Sequence, residues 1–170
     1  MNNLIIEDYS KGVDNMDPRL IRFEKIEKVA RSMVGIPYEH NGRDENGIDC
    51  WGLVYLFFKR IGVKLPLDDG GGPAPDNWYK VQPKRYINGL YTLGEEVGHY
   101  KNLQPLDIPY FRLYKNVVTH SGVMLDDEHF LHVLNEKEVS IATMKRKIWY
   151  RKYAGAIRLP CFENYNFNIT

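Results

Sequence analysis

The sequence lacks the features that mark several large classes of protein. Its 170 residues contain two cysteines, Cys50 and Cys161, which are too few for a disulfide framework, so either thiol can stay reduced. No apolar run approaches the roughly 20 residues needed to cross a bilayer. The formal net charge of +1 favours neither nucleic acid nor anionic lipid as a partner. We therefore expect an ordinary globular chain that binds no nucleic acid and does not insert into a membrane.

The N-terminal residues also lack the apolar core of a signal peptide. The only apolar run there, Leu4-Ile5-Ile6, is too short, and two acidic residues follow it at once. We expect the chain to be made and held in the cytosol unless another device carries it outward.

The length suits one compact domain, and the order of patterns indicates its class. We predict an irregular extension over residues 1–16, a domain over 17–160 and a surface tail over 161–170. Asp17-Pro18 is a strong helix start, and an amphipathic pattern continues to Gly35. After residue 103 the pattern changes to short strands joined by turns. Helices followed by an antiparallel meander predict an α+β fold.

The segment around Cys50 reads as the start of a buried helix with a thiol in its first turn. Asp49 is a suitable N-cap, the apolar residues that follow recur at helical spacing, and Gly62 can close the helix. A helix N-terminus offers unpaired N–H groups and partial positive charge, both of which favour a reactive thiolate. The alternative is a small core residue, as free cysteines often are. The helix alone does not decide between them.

Two further stretches lack regular patterns. Residues 38–47 are polar and rich in turn formers, which predicts a loop that leads into the Cys50 helix. Residues 70–75 read Gly-Gly-Gly-Pro-Ala-Pro and cannot form regular structure. They are either a surface linker or a mobile wall of a substrate cleft.

His120 and His132 lie on consecutive predicted strands joined by an acidic turn. A hairpin centred on Asp126 would place the two imidazoles directly opposite each other on one face, with Cβ atoms roughly 5 Å apart. A small shift in the turn would make them diagonal neighbours. Two structural histidines satisfied by backbone groups are one alternative. A zinc site is another, but no metal-binding spacing accompanies the pair, and we expect neither a metal nor a cofactor.

A nucleophilic cysteine needs a base within hydrogen-bond reach, and that base needs a third group to orient it. Cys50, His120 and His132 can supply these three roles. The remaining histidines fit less well, because they lie in loops or on the opposite strand face.

Four short motifs resemble the NlpC-type cell-wall cysteine peptidases, which are papain-like domains that cleave amide bonds in peptidoglycan stem peptides. The motifs are Gly35-Ile36-Pro37-Tyr38, Asp49-Cys50-Trp51-Gly52-Leu53-Val54, His120-Ser121-Gly122-Val123-Met124 and Phe130-Leu131-His132. The resemblance covers roughly residues 20–160. It implies that Cys50 is the nucleophile, His120 the general base and His132 the third polar member. It also implies that Tyr38 is a hydroxyl donor near the oxyanion hole.

For substrate contacts we expect Asp49, Trp51 and Ser121. Many family members have serine after the cysteine, where it shapes the pocket for a free amino group, whereas this chain has Trp51. That substitution is similar to the branch found in bacteriophage tails, which opens the cell wall during infection and would be carried there on the virion. A second departure is Leu106, which stands where glycine is usual before the first strand.

The resemblance thus implies a murein endopeptidase whose partners are stem peptides and other phage tail proteins. A non-catalytic tail or hub protein that keeps the peptidase fold is the alternative. An acyltransferase on the same fold is a third possibility. It fits less well, because the lipid-modifying relatives place histidine before cysteine and carry a membrane anchor.

Overall fold

The computed structural model describes residues 22–162. The predicted extension over 1–16, the helix start at Asp17-Pro18 and most of the predicted tail lie outside these residues. The described part contains these helices and strands: α1 Arg22–Met33, β1 Arg43–Asp44, β2 Gly47–Ile48, α2 Cys50–Ile61, α3 Trp78–Val81, α4 Arg85–Tyr91, β3 Glu95–Val97, β4 Ile108–Phe111, β5 His120–Met124, β6 His129–His132, β7 Ser140–Thr143, α5 Lys147–Lys152 and β8 Tyr153–Arg158. Short 3₁₀ turns cover Tyr100–Asn102 and Pro160–Phe162.

Helix α2 is the central helix of the core. Its apolar residues Leu53, Phe57 and Phe58 are fully buried, while Lys59 in the last turn is exposed. One side of α2 packs against α1 and another against β5. Each large apolar side chain buried in this way stabilises the fold by roughly 2 kcal/mol. The first turn of α2 is thereby fixed between the helical layer and the sheet.

The main sheet has six strands in the order β3-β8-β4-β5-β6-β7, and every neighbouring pair is antiparallel. Strands β4 to β7 form the meander that the sequence predicts. Strand β8 returns to lie between β4 and the edge strand β3. The α+β class is confirmed, with helices packed on an antiparallel sheet. In the described part of the chain no helix is both long and apolar enough to cross a bilayer.

The structure also differs from the expected elements in two places. The β1–β2 hairpin begins inside the predicted loop over 38–47 and ends at Ile48, and its strands are only two residues each and leave no recognisable alternation. The sequence pattern does not predict strand β3, because its residues Glu95-Glu96-Val97 carry two adjacent charges at the sheet edge.

Leu106 adopts φ 70°, in the left-handed region that glycine enters without cost. A side chain there costs roughly 1–2 kcal/mol. The Leu106 side chain is buried in the core, with only 5% of its surface exposed, and that burial offsets a cost of this size. The departure from glycine is therefore tolerated by packing.

Candidate active site

Cys50 occupies the first turn of α2, as the sequence predicts. Asp49 caps the helix in an extended conformation (φ −93°, ψ −173°), and its carboxylate accepts a 2.8 Å hydrogen bond from the Gly52 amide. At the far end Gly62 adopts φ 93°, and its amide bonds back to the last turn. The predicted helix is confirmed at both ends.

Gly52 allows the loop before the β1–β2 hairpin to lie against this first turn. A Cβ atom at position 52 would lie 2.1 Å from the carbonyl oxygen of Gly42, which is far closer than any real contact. The close approach puts Asn41 and Arg43 within hydrogen-bond reach of Asp49. A side chain at position 52 would therefore push away the residues that surround the helix cap.

The cysteine and the two histidines form one continuous chain of contacts. Sγ of Cys50 lies 3.1 Å from Nδ1 of His120, and Nε2 of His120 lies 3.1 Å from Nδ1 of His132. Beyond them, Nε2 of His132 lies 3.5 Å from the hydroxyl of Ser140 on β7. This is the order of groups that a nucleophile, a base and an orienting residue require. The sequence pattern does not indicate that the Ser140 hydroxyl follows His132 in this series of contacts.

The predicted register of the histidine hairpin is wrong by two residues. His132 pairs with Gly122 rather than with His120, so the two imidazoles are diagonal neighbours on one face. The carboxylate of Asp126 accepts hydrogen bonds from the amides of Glu128 and His129. These bonds centre the turn one residue later than expected. The two imidazoles still lie on one face of the sheet and still touch, because a register change of two residues leaves each side chain on the same face.

Burial sets the charge of the site at rest. It raises the pKa of the Cys50 thiol to about 12, with a further contribution from the negative charge of Asp49. Backbone N–H groups and Arg43 oppose this rise without cancelling it. Burial lowers the pKa of His132 to about 4, and burial together with His132 lowers the pKa of His120 well below its ordinary value.

The expectation of a resting thiolate is therefore not supported, because the thiol and both imidazoles are neutral near pH 7. Each neutral imidazole carries one N–H. A thiol that donates to Nδ1 of His120 leaves Nε2–H of that ring to donate to Nδ1 of His132. The proton of this pair thus lies on sulfur, with an acceptor in direct contact.

The cysteine lies in a cleft of about 630 Å³ that is also lined by Tyr38 and His120. Burial raises the pKa of Tyr38 to about 12, and Cys50 is the next cause, so the phenol keeps its proton near pH 7. Among the described residues its hydroxyl has no hydrogen-bond partner. The phenol is therefore a hydrogen-bond donor that is not already engaged.

The other predicted site residues are placed differently. Asp49 lines the cleft, but its carboxylate also accepts from Arg43 Nη1 at 2.6 Å and from the Asn41 amide at 2.9 Å. Its charge is therefore compensated by the protein itself. Trp51 contributes to the cleft wall, yet only 4% of its surface is exposed, and its indole N–H donates to the Pro66 carbonyl at 3.2 Å.

Ser121 is completely buried, and its hydroxyl shares a 2.7 Å hydrogen bond with the hydroxyl of Tyr86. The structure therefore does not bring this side chain to the cleft surface. The ring of Tyr86 does line the cleft and packs edge-on against Trp51. The predicted substrate contacts at positions 49, 51 and 121 thus split into two wall residues and one enclosed hydroxyl.

Comparison with known proteins identifies the family to which the chain belongs. The sequence profile described as the NlpC/P60 family matches residues 35–158. The chain belongs to the NlpC/P60 family. The matched range contains the cysteine and both histidines, and it covers all six strands of the main sheet.

Solved NlpC/P60 structures share the fold. A Bacillus cereus family protein is similar with a TM-score of 0.58 and 24% identity over 80% of this chain, which spans 39% of that protein's length. The NlpC/p60 domain of the peptidoglycan hydrolase SagA is similar with a TM-score of 0.54 and 14% identity. The match covers 81% of this chain and 99% of the SagA domain. RipD of Mycobacterium tuberculosis is similar with a TM-score of 0.52 and 15% identity, over 80% of this chain and 95% of RipD. That NlpC/p60 domain is described as non-catalytic and adapted to peptidoglycan binding.

The Gly- and Pro-rich segment over 70–75 is part of the cleft wall of this NlpC/P60 domain. Nε2 of His40 lies 2.7 Å from the Ala74 carbonyl, and the Asn41 side chain bonds both the amide and the carbonyl of Ala74. Arg85 donates a hydrogen bond to the Gly72 carbonyl of the same segment and forms an ion pair with Asp69, which directly precedes it. Of the two sequence interpretations, a linker and a mobile cleft wall, the structure shows a cleft wall, and these hydrogen bonds attach it to the rest of the domain. Within residues 22–162 no cluster of three or more His, Cys, Asp or Glu side chains forms a metal site.

Proposed function

We propose that this NlpC/P60 domain is a cysteine endopeptidase that hydrolyses amide bonds in peptidoglycan stem peptides. One observation carries the proposal: the thiol of Cys50 and the imidazoles of His120 and His132 form an unbroken chain of 3.1 Å contacts. Cys50 itself lines an open cleft of about 630 Å³, which is large enough for a short peptide.

The resting proton positions suit acyl transfer. As Sγ of Cys50 bonds to the substrate carbonyl carbon, its proton passes to Nδ1 of His120. The C–N bond then breaks, and His120 gives that proton to the leaving amine. A water molecule replaces the amine, transfers a proton to Nδ1 and attacks the thioester, which releases the acid and restores the thiol. Throughout, His132 accepts from Nε2–H and holds the ring in place.

The negative oxygen that forms on the carbonyl needs hydrogen-bond donors. The backbone N–H of Cys50, at the helix N-terminus, and the hydroxyl of Tyr38 are the candidates. One such donor often supplies ~3 kcal/mol of transition-state stabilisation. The unengaged, protonated phenol supports this role for Tyr38.

The test is the release of new free amines from purified peptidoglycan. The wild-type chain should release them, and Cys50→Ala should reduce release to background while the melting curve is kept. Cys161→Ala is the matched control, because that thiol lies in the Pro160–Phe162 turn and should leave release unchanged. Release by the Cys50→Ala variant at the wild-type rate would contradict the proposed mechanism.

The second candidate is a non-catalytic domain that binds peptidoglycan. The similarity to RipD favours it, because that NlpC/p60 domain is described as non-catalytic and adapted to peptidoglycan binding. The amine assay separates the two candidates: co-sedimentation with peptidoglycan and no amine release from the wild-type chain would favour binding alone.

We propose a bacteriophage tail as the carrier of the domain, with other tail proteins as its partners and the host cell wall as its site of action. The support is the Asp-Cys-Trp-Gly motif at residues 49–52, which is similar to the tail-associated branch. Mass spectrometry of purified virions should detect the chain. Its absence from virions, with abundant chain in infected cells, would contradict this carrier.

A further inference from the structure

Helix α5 is a short surface element with one buried residue. Of its six residues, Trp149 is buried, with 4% of its surface exposed, whereas the apolar neighbours Ile148 and Tyr150 are 54% and 40% exposed. A six-residue helix gains little stability of its own. Its main contribution to the interior is therefore one indole ring.

That indole lies against both imidazoles of the site. The ring of Trp149 stacks on His120 with centroids 5.7 Å apart and planes 27° apart, and it meets His132 edge-to-face at 4.8 Å and 81°. Phe111 and Phe130 complete the enclosure, each with its centroid 5.1 Å from the indole. The indole does not line the cleft that holds Cys50, so it touches the imidazoles from behind rather than the substrate.

We propose that Trp149 is a positioning residue for the proposed peptidase: its indole fixes the planes of His120 and His132 and keeps water away from them. An imidazole can rotate about its side-chain bonds, and a rotation breaks either the contact to sulfur or the contact to the second ring. Stacking on one ring and edge-to-face packing on the other oppose both rotations. The two 3.1 Å contacts then persist together.

Few polar groups contact the two imidazoles beside the aromatic rings. The thiol of Cys50 faces His120 from α2, and the hydroxyl of Ser140 faces His132 from β7. Burial, and then His132, lower the pKa of His120, and no carboxylate among the described residues contributes to that shift. Burial, to which the indole beside both rings contributes, thus keeps the imidazole pair neutral and ready to accept a proton.

The test uses alkylation of Cys50 by iodoacetamide, measured against pH in the full chain with Cys161→Ser present. The reaction needs the thiol–imidazole pair but no cell-wall substrate, so it is independent of whether the domain cleaves peptidoglycan. Trp149→Leu should lower the plateau rate about tenfold through lost alignment. It should also raise the pH at which the alkylation rate begins to fall on the acidic side. Water admitted to the site would relieve the burial that lowers the pKa of the imidazoles.

Phe57→Leu is the matched control, since Phe57 is fully buried in α2 and its ring packs edge-on against Phe58 rather than against the imidazoles. It should reduce stability without changing the alkylation profile. Trp149→Phe keeps a buried ring and should shift the profile in the same direction by a smaller amount.

An unchanged profile in folded Trp149→Leu would overturn the proposal. If the leucine variant does not fold, an unchanged profile in Trp149→Phe would overturn it in the same way. An equal shift in Phe57→Leu would also overturn it, because the effect would then follow from general loosening. Loss of alignment in Trp149 variants together with no amine release by the wild type would leave the positioning role standing and reject the peptidase.

Discussion

The buried imidazole pair makes a quantitative prediction about pH. A histidine with an ordinary pKa of about 6.5 is about nine-tenths neutral at pH 7.5 and about one-tenth neutral at pH 5.5, so a reaction that uses it as base loses about tenfold over this range. Burial lowers the pKa of His132 to about 4 and that of His120 well below its ordinary value. Both rings therefore stay neutral as the pH falls through 6. We expect the alkylation rate of Cys50 to fall by no more than about threefold between pH 7.5 and 5.5.

The assay is iodoacetamide alkylation followed by intact-mass measurement, with Cys161→Ser present so that one thiol reacts. His120→Asn is the control: it removes the base, and the rate should then rise about tenfold per pH unit, as expected for an isolated thiol whose pKa is about 12. A wild-type rate that halves near pH 6.5 and falls about tenfold by pH 5.5 would refute the reasoning.

Two further predictions concern stability. Gly52→Ala should destabilise the fold by roughly 1–3 kcal/mol, because its Cβ would meet the Gly42 carbonyl at 2.1 Å, whereas Gly98→Ala meets nothing within 4 Å and should be neutral in the same urea titration. Equal stabilities of the two variants would contradict the close approach. The unfolded chain protonates histidine near pH 6.5 but the folded chain protonates His132 only near 4, so stability should fall as the pH drops from 7 to 4, by about 3 kcal/mol from this group. The urea midpoint of His132→Asn should be correspondingly less sensitive to pH, and equal sensitivity in both chains would contradict the burial.

Local chemistry made α2 predictable. Asp49 is a capping residue, Gly62 closes the helix in a left-handed conformation, and the apolar spacing between them is helical. Strand parity likewise placed both imidazoles on one face. The register was wrong because it depends on the Asp126 carboxylate, which binds two amides and recentres the turn. A side-chain bond of this kind is not visible in a hydrophobic pattern.

The charge state of the site could not be predicted, because distant parts of the chain set it. The helix N-terminus favours a thiolate, yet burial and the neighbouring Asp49 raise the pKa of Cys50. The rings that bury His120 come from β4 and α5. The cleft wall at Ala74 is likewise held by Asn41, which lies 33 residues away in the sequence. Such contacts depend on the folded chain rather than on spacing.

We propose that the sulfur of Cys50, with His120 as its base, cuts a stem-peptide amide. Mass spectrometry of muropeptides after digestion of purified peptidoglycan tests it most directly, because the products identify the bond that was cut. We expect one class of stem-peptide amide to be hydrolysed by the wild-type chain and by Cys161→Ala, and to stay intact with Cys50→Ala or His120→Ala. The same cleaved products in digests with Cys50→Ala, or an intact stem peptide with the wild-type chain, would contradict the claim.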